Sequence, residues 1–152
     1  MGSSVCFRCA ICVLMLYILS SFASWAAADT VDLRKAVIVT YDENRVVKTA
    51  ARMLVEEIAK RTDITLPCAA EKPGDHVPLI LLGRVDKLPA DLQDFVTSLN
   101  VPEKAEGFAI GVHTDGAQPV VVLAGRDQRG VLFATGRLLL VLRMAPGRIE
   151  LP

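Results

Sequence analysis

From Val131 to about Met144 the chain reads V-L-F-A-T-G-R-L-L-L-V-L-R-M, a helical segment that is apolar on most of its sides. Val131, Leu138 and Leu142 form one stripe. Leu132, Phe133, Leu139, Leu140 and Met144 point in other directions, and Arg137 and Arg143 are the main polar interruptions. A helix lying on a sheet needs a single apolar stripe, so a wider apolar surface asks for burial on more than one side. Ala134, Thr135 and Gly136 are small enough to let another backbone approach closely. Two arrangements meet that demand. The helix is enclosed by its own domain, or one side packs on the local sheet and another on a separate body. Leu132, Phe133, Leu139, Leu140 and Arg143 are the candidate interface residues of the second arrangement.

The preceding chain supplies the sheet. Lys35 to Thr40 is a β-branched run suited to a buried strand, and Tyr41-Asp42-Glu43-Asn44 breaks it. Val47, Ala50, Ala51, Leu54 and Ile58 then recur at three- and four-residue spacing, predicting an amphipathic helix over Arg45 to Arg61 with Asn44 or Asp42 as N-cap. Ile64 to Ala69 contains Pro67, which cannot donate to a ladder and so favours an edge strand. Val77 to Gly83 is a further buried strand, and Leu88 to Leu99 has helical spacing that Pro89 confines to starting near that point. Glu106 to Thr114 alternates as a half-buried strand, and Pro119 to Ala124 forms the second arm of a hairpin with a loop somewhat longer than two residues. Arg148 to Leu151 reads as a last short strand, and Pro146-Gly147 closes the apolar helix. The expected fold is α+β, an α/β sandwich of one mixed sheet packed by two main helices.

Residues 1–28 have the pattern of a secretory leader. Arg8 is their only charge, Cys9 to Leu19 is apolar, and Ala26-Ala27-Ala28 fits a cleavage site before Asp29. The apolar run is shorter than the roughly 20 residues that span a bilayer, so the expectation is a secreted or periplasmic protein with no membrane attachment after cleavage. Cleavage leaves residues 29–152 as one domain whose sole cysteine is Cys68, expected as a buried inert thiol. With no internal disulfide available, the core alone must hold the fold.

Chemistry is scarce. The chain has 152 residues, whereas a (β/α)₈ catalytic barrel needs roughly 200 to 250. Lys plus Arg and Asp plus Glu both number 17, which removes the basic footprint of a nucleic-acid binder. Ser98 is the only serine after the leader and lies in no G-x-S-x-G elbow. His76 and His113 sit in a turn and on a strand without metal-ligand spacing, so neither a metal nor a cofactor is expected. Asp42-Glu43 is better explained by polarity at a helix start than by glycosidase carboxylates. Tyr41, Phe95, Phe108 and Phe133 are the only aromatics after the leader, too few for a sugar-stacking platform.

Gly125 and Gly130 stand five apart between a strand and a helix. Gly125, Arg126 and Gly130 are therefore candidate anion-binding residues, whose backbone N–H groups would face the ligand. Val131 replaces the lysine that a P-loop requires, which excludes that motif. A tight turn with Asp127 as helix cap is the commoner use of such glycines.

Four segments carry a family resemblance: A-A-R-M-L-V-E-E-I-A-K-R-T (Ala50 to Thr62), L-I-L-L-G (Leu79 to Gly83), E-G-F-A-I (Glu106 to Ile110) and A-G-R-D-Q-R-G-V-L-F-A-T-G-R-L-L (Ala124 to Leu139). Together they resemble the small N-terminal domain of secreted glycoside hydrolases, both the bacterial β-N-acetylhexosaminidases of family 20 and the α-glucuronidases of family 67. Asp63 departs from the family, which usually has Gly after the helix-terminal Thr. The resemblance implies a noncatalytic domain of zincin-like topology without its zinc site, packed on a catalytic barrel. It transfers no catalytic residue, because none has a matching position. Pro152 would fall where a connection to that barrel begins, so the chain is expected to be a fragment or truncated product of a glycosidase. A free-standing anion- or glycan-binding module and a protein-docking domain are the alternatives.

Overall fold

A computed structural model describes residues 30–152 except 75–76 and 116–117. The predicted leader and His76 lie outside the described residues. The central element is a five-stranded sheet of β2 (Val37–Thr40), β3 (Cys68–Ala69), β4 (Leu79–Arg84), β5 (Phe108–Asp115) and β6 (Gln118–Gly125), ordered β3-β2-β4-β6-β5. β2, β3, β4 and β6 run parallel, and β5 closes one edge antiparallel to β6. The fold is α+β, as the residue pattern predicts.

Helix α1 (Arg45–Thr62) and helix α3 (Gln128–Val141) cover one face of this sheet. Ile38, Ile80, Leu82, Val121 and Leu123 point up from the strands to meet Val47, Leu54, Ile58, Val131 and Leu138. Each such side chain, fully buried, contributes roughly 1.5–3 kcal/mol of transfer free energy. Alternate strand residues Val39, Leu79, Leu81, Val120 and Val122 form a second core on the opposite face. There the cover is thinner: a 3₁₀ turn (Ala90–Leu92) and the six-residue α2 (Gln93–Ser98).

Both long helices start on side-chain caps. Asn44 Oδ1 accepts from Val46 N at 2.8 Å, and Asp42 stands one step earlier, accepting from Asn44 N. Helix α1 ends on Asp63 at φ 60°, the left-handed conformation that glycine adopts most easily, so the departure at this position is a residue occupying a glycine's conformation.

Several boundaries differ from expectation. Helix α3 begins at Gln128 rather than Val131, because Asp127 caps it, and it stops at Val141. Leu142 turns extended with its side chain in the core, and Met144 belongs to β7 (Arg143–Ala145). Pro146-Gly147 is thus a hairpin turn into β8 (Arg148–Leu151) rather than a helix stop. β1 (Val31–Asp32) joins β8 to complete a small three-stranded antiparallel sheet. The β5–β6 ladder extends to Asp115 opposite Gln118, leaving two positions between the strands and not a longer loop. Cys68 is exposed on the edge strand β3 rather than buried, although partial desolvation pushes its thiol pKa up.

Candidate functional site

Helix α3 carries an apolar surface that faces away from the sheet. Its inward positions Val131, Ala134, Thr135 and Leu138 are fully buried. One notch around the helix, Leu132, Gly136 and Leu140 recur at four-residue spacing and share a face. Phe133 and Arg137 flank that row. Leu140 is 76% exposed and Phe133 43% exposed, two of the few large apolar side chains left open to solvent among the described residues. Met53 from α1 and Phe108 from β5 complete the walls of a shallow apolar groove with them. A Cβ on Gly136 would meet nothing within 4 Å, so the missing side chain forms part of the hollow.

The candidate interface residues therefore divide. Leu132, Phe133 and Leu140 come together. Leu139 does not join them: it is 8% exposed and packs in the core between the helices and the sheet. That position corrects the expectation, since a helix turns by 100° per residue and Leu139 falls on the inward side of Leu140. Arg143 is exposed on β7, beyond the end of the helix. Met53, Phe108, Gly136 and Arg137 were not expected in the groove. Met53 stands one residue off the buried stripe of α1, an apolar side chain in a position that a single-faced helix would give to a polar one.

At the other end of α3, Gly125, Arg126 and Gly130 do meet, in a turn that is fully knitted by the protein itself. Asp127 Oδ1 accepts from Gly130 N at 2.8 Å, and Asp127 Oδ2 accepts from Glu106 N at 3.0 Å. These backbone N–H groups, Glu106 first and then Gly130, hold the Asp127 carboxyl below the usual carboxylate range. Arg126 N donates to Gly107 O at 2.8 Å, while its guanidinium pairs with Glu103 at 3.2 Å. Arg129 pairs with Glu106 at 2.9 Å. A Cβ on Gly130 would fall far inside contact distance of the Gly107 carbonyl, and one on Gly125 would lie 2.7 Å from Asp127 O. Both glycines permit this close approach of strand, loop and helix.

Asp42 is the buried carboxylate among the described residues. Burial works to raise its pKa, yet the Arg84 guanidinium, donating from Nε at 2.7 Å, and the Asn44 N–H hold it below the usual range. Glu43 beside it is exposed and pairs with Lys48. The pair thus serves the start of α1, as its position suggested. His113 lies on β5 with its ring 4.9 Å from that of Phe95.

The strand-turn-helix of Val120 to Phe133 and the sheet beneath it correspond to a known family: the family model for the N-terminus of glycosyl hydrolase family 67 matches residues 23–138. The chain belongs to that family. The match spans the whole five-stranded sheet, both cores and α3 as far as Leu138. Of the two glycosidase groups that the sequence resembles, it names the one with family 67. No curated protein matches the chain. Among the described residues of this family 67 domain, no helix is long and apolar enough to cross a membrane, and no three His, Cys, Asp or Glu side chains cluster as metal ligands.

Proposed function

We propose that this family 67 domain is the noncatalytic N-terminal unit of a secreted glycoside hydrolase of α-glucuronidase type, and that it buttresses the catalytic barrel through the groove on α3. The observation that carries the reading is the row Leu132, Gly136 and Leu140 with Phe133 beside it: α3 already buries one side against its own sheet, and a second apolar side faces outward. Exposed apolar surface of this kind is costly to leave in water and marks an interaction face. Export is supported by the leader pattern of residues 1–28. An anion site at Gly125, Arg126 and Gly130 would require a ligand to displace the Asp127 carboxylate from Gly130 N.

The test is association with a family 67 catalytic region supplied as a separate chain. Phe133→Asp with Leu140→Asp should keep the fold, read by circular dichroism, and weaken association about 100-fold or more, since central apolar anchors dominate such interfaces. Equal affinity of wild type and double variant would refute the docking face. Turnover of an aryl glucuronide by the purified domain alone would refute the noncatalytic assignment. N-terminal sequencing of exported protein should begin at Asp29.

A further inference from the structure

The five-stranded sheet ends in two very different edges. At one, β3 is two residues long and follows Pro67, so it offers little backbone to an incoming strand. At the other, β5 runs for eight residues, and β6 is its one strand neighbour. The register is continuous from Phe108 opposite Gly125 to Asp115 opposite Gln118, so no bulge interrupts it. The direction of its backbone groups follows from the neighbouring ladder. Val85 N donates to Gly125 O at 3.0 Å, so Gly125 faces β4, and Phe108 opposite it turns its own N–H and C=O away from β6. Alternation then sends the groups of Ala109, Gly111 and His113 to β6 and those of Phe108, Ile110, Val112 and Thr114 to the outer edge. Among the described residues no hydrogen bond reaches that outer row. Phe108 to Thr114 also contains no Lys, Arg, Asp, Glu or Pro, the residues by which natural edge strands are kept from pairing. Val112 is 36% exposed, and Thr114 is exposed as well.

We propose that β5 is a self-association edge, on which a second copy of this chain adds its own β5 antiparallel and joins two five-stranded sheets into one. The occupant is set by the fit of the edge to itself. Turned about a two-fold axis at Gly111, β5 sets Ile110 opposite the second copy's Val112 and Phe108 opposite its Thr114. Every position in these pairs is an outward one, so each pair exchanges both of its N–H···O=C bonds and no group of the row is left over. A register shifted by one residue would oppose outward groups to inward ones. Opposite residues of an antiparallel pair share a face, so Ile110 and Val112 meet across the axis on the α3 side of the sheet. Because the strand is neutral from Phe108 to Thr114, its two copies bring no like charges together. The contact is isologous and closes at two copies, since each β5 edge is consumed by the other and β3 is too short to extend the sheet. The pairing shares only Phe108 with the α3 groove, so it stands apart from the docking reading.

Sedimentation velocity of the purified protein over a concentration series should show a monomer–dimer equilibrium in the roughly micromolar range, as expected of a small interface. Hydrogen exchange resolved by residue should show the amides of Phe108, Ile110, Val112 and Thr114 fast when dilute and slowed about tenfold or more when concentrated. Val112→Pro should weaken dimerisation about tenfold or more with little change in Tm, because the Val112 N–H bonds nothing within its own sheet. Val112→Lys keeps the backbone donor and places a charge on the edge, and should weaken it likewise. Phe133→Asp with Leu140→Asp should leave dimerisation intact. A monomer up to about millimolar concentration overturns the proposal. So does a dimer whose four outer amides stay fast, or whose affinity neither Val112 variant lowers. Dissociation by the Phe133 and Leu140 pair would assign the contact to the α3 groove and overturn it too. Protection of the four amides only when a family 67 catalytic region is added would mean that the barrel supplies the strand, which overturns pairing between copies while leaving the docking reading standing.

Discussion

One substitution made twice in one helix separates packing from propensity. Gly130 and Gly136 both lie in α3 with negative φ, so alanine is sterically ordinary at either position as far as backbone conformation goes. Intrinsic helix propensity favours alanine at an interior position by roughly 0.5–1 kcal/mol. At Gly136 nothing stands within 4 Å of the new Cβ, so that gain should be realised almost whole, raising Tm by about 2–4 °C for a domain of this size. At Gly130 the same methyl meets the Gly107 carbonyl oxygen well inside 3.0 Å and Gly125 Cα at 3.2 Å. Both obstacles are backbone, held by Arg126 N donating to Gly107 O and by the Asp127 bridge to Glu106 N. Relief demands a shift of the whole turn, an overpacking cost of about 2–3 kcal/mol that exceeds the propensity gain. The net loss should be about 1–2 kcal/mol, or roughly 4–8 °C. Urea or thermal denaturation followed by circular dichroism measures both. A neutral or stabilising Gly130→Ala, or a destabilising Gly136→Ala, would refute the assignment of the first glycine to close packing and of the second to an open groove. Because Gly136 also shapes the groove, Gly136→Ala should weaken barrel association even as it stabilises the domain.

Neighbouring leucines of α3 should respond oppositely to charge. Leu139→Asp places a carboxylate in the core and should cost more than about 3 kcal/mol, visible as loss of the cooperative melt, whereas Leu140→Asp should change stability by about 0.5 kcal/mol or less. Asp127→Ala should destabilise by about 1–2 kcal/mol at neutral pH through the lost cap. Since the folded-state pKa of Asp127 is depressed, its contribution is present above the unfolded value near ~4 and is lost as pH falls through the lower folded value. The stability gap between wild type and Asp127→Ala should therefore narrow in urea titrations below about pH 4; a gap constant down to pH 2 or so would contradict the charged cap. Asp63→Gly should raise stability by about 0.5–1 kcal/mol, measured by urea denaturation, because the left-handed φ of 60° is easier for glycine than for aspartate. A loss there would show that the Asp63 side chain makes a compensating contribution.

The elements that could be read from residue order are those whose side chains alone decide them. The periodicity of Val47 to Ile58 specifies α1 because a long helix on a sheet must present one continuous stripe. The β-branched and leucine runs at Val37–Thr40 and Leu79–Arg84 specify parallel strands buried on both faces. What could not be read is decided between segments distant in sequence. β1 and β7 are two and three residues long, too short to show a repeating pattern, and exist because β8 lies between them. Leu139 and Leu140 are identical residues at adjacent positions, and only the rotation of α3 on the sheet tells which is core. A hollow of about 180 Å³ on the second face was hidden for the same reason: Tyr41, Lys72, Asp91, His113 and Gln118 share no motif and line it only because β2, β4 and β6 lie side by side with β5 folded back on the edge.

The two faces of the sheet then impose different physical demands. On the α1/α3 face the helices are long enough to cover the strands completely, so surplus apolar residues of α3 cannot turn inward without displacing Val131 or Leu138 and must point away from the sheet. That surplus is a consequence of filling one face too well. On the α2 face the cover is a single 3₁₀ turn and six helical residues, so the strands are left with more inward surface than apolar side chains available above them, and polar groups line the remainder. An apolar excess suits a partner that stays, because its burial is released only when water returns to the whole area. Filling the hollow with bulk should therefore have no bearing on barrel association; a cross-effect would mean that the sheet transmits strain between its faces.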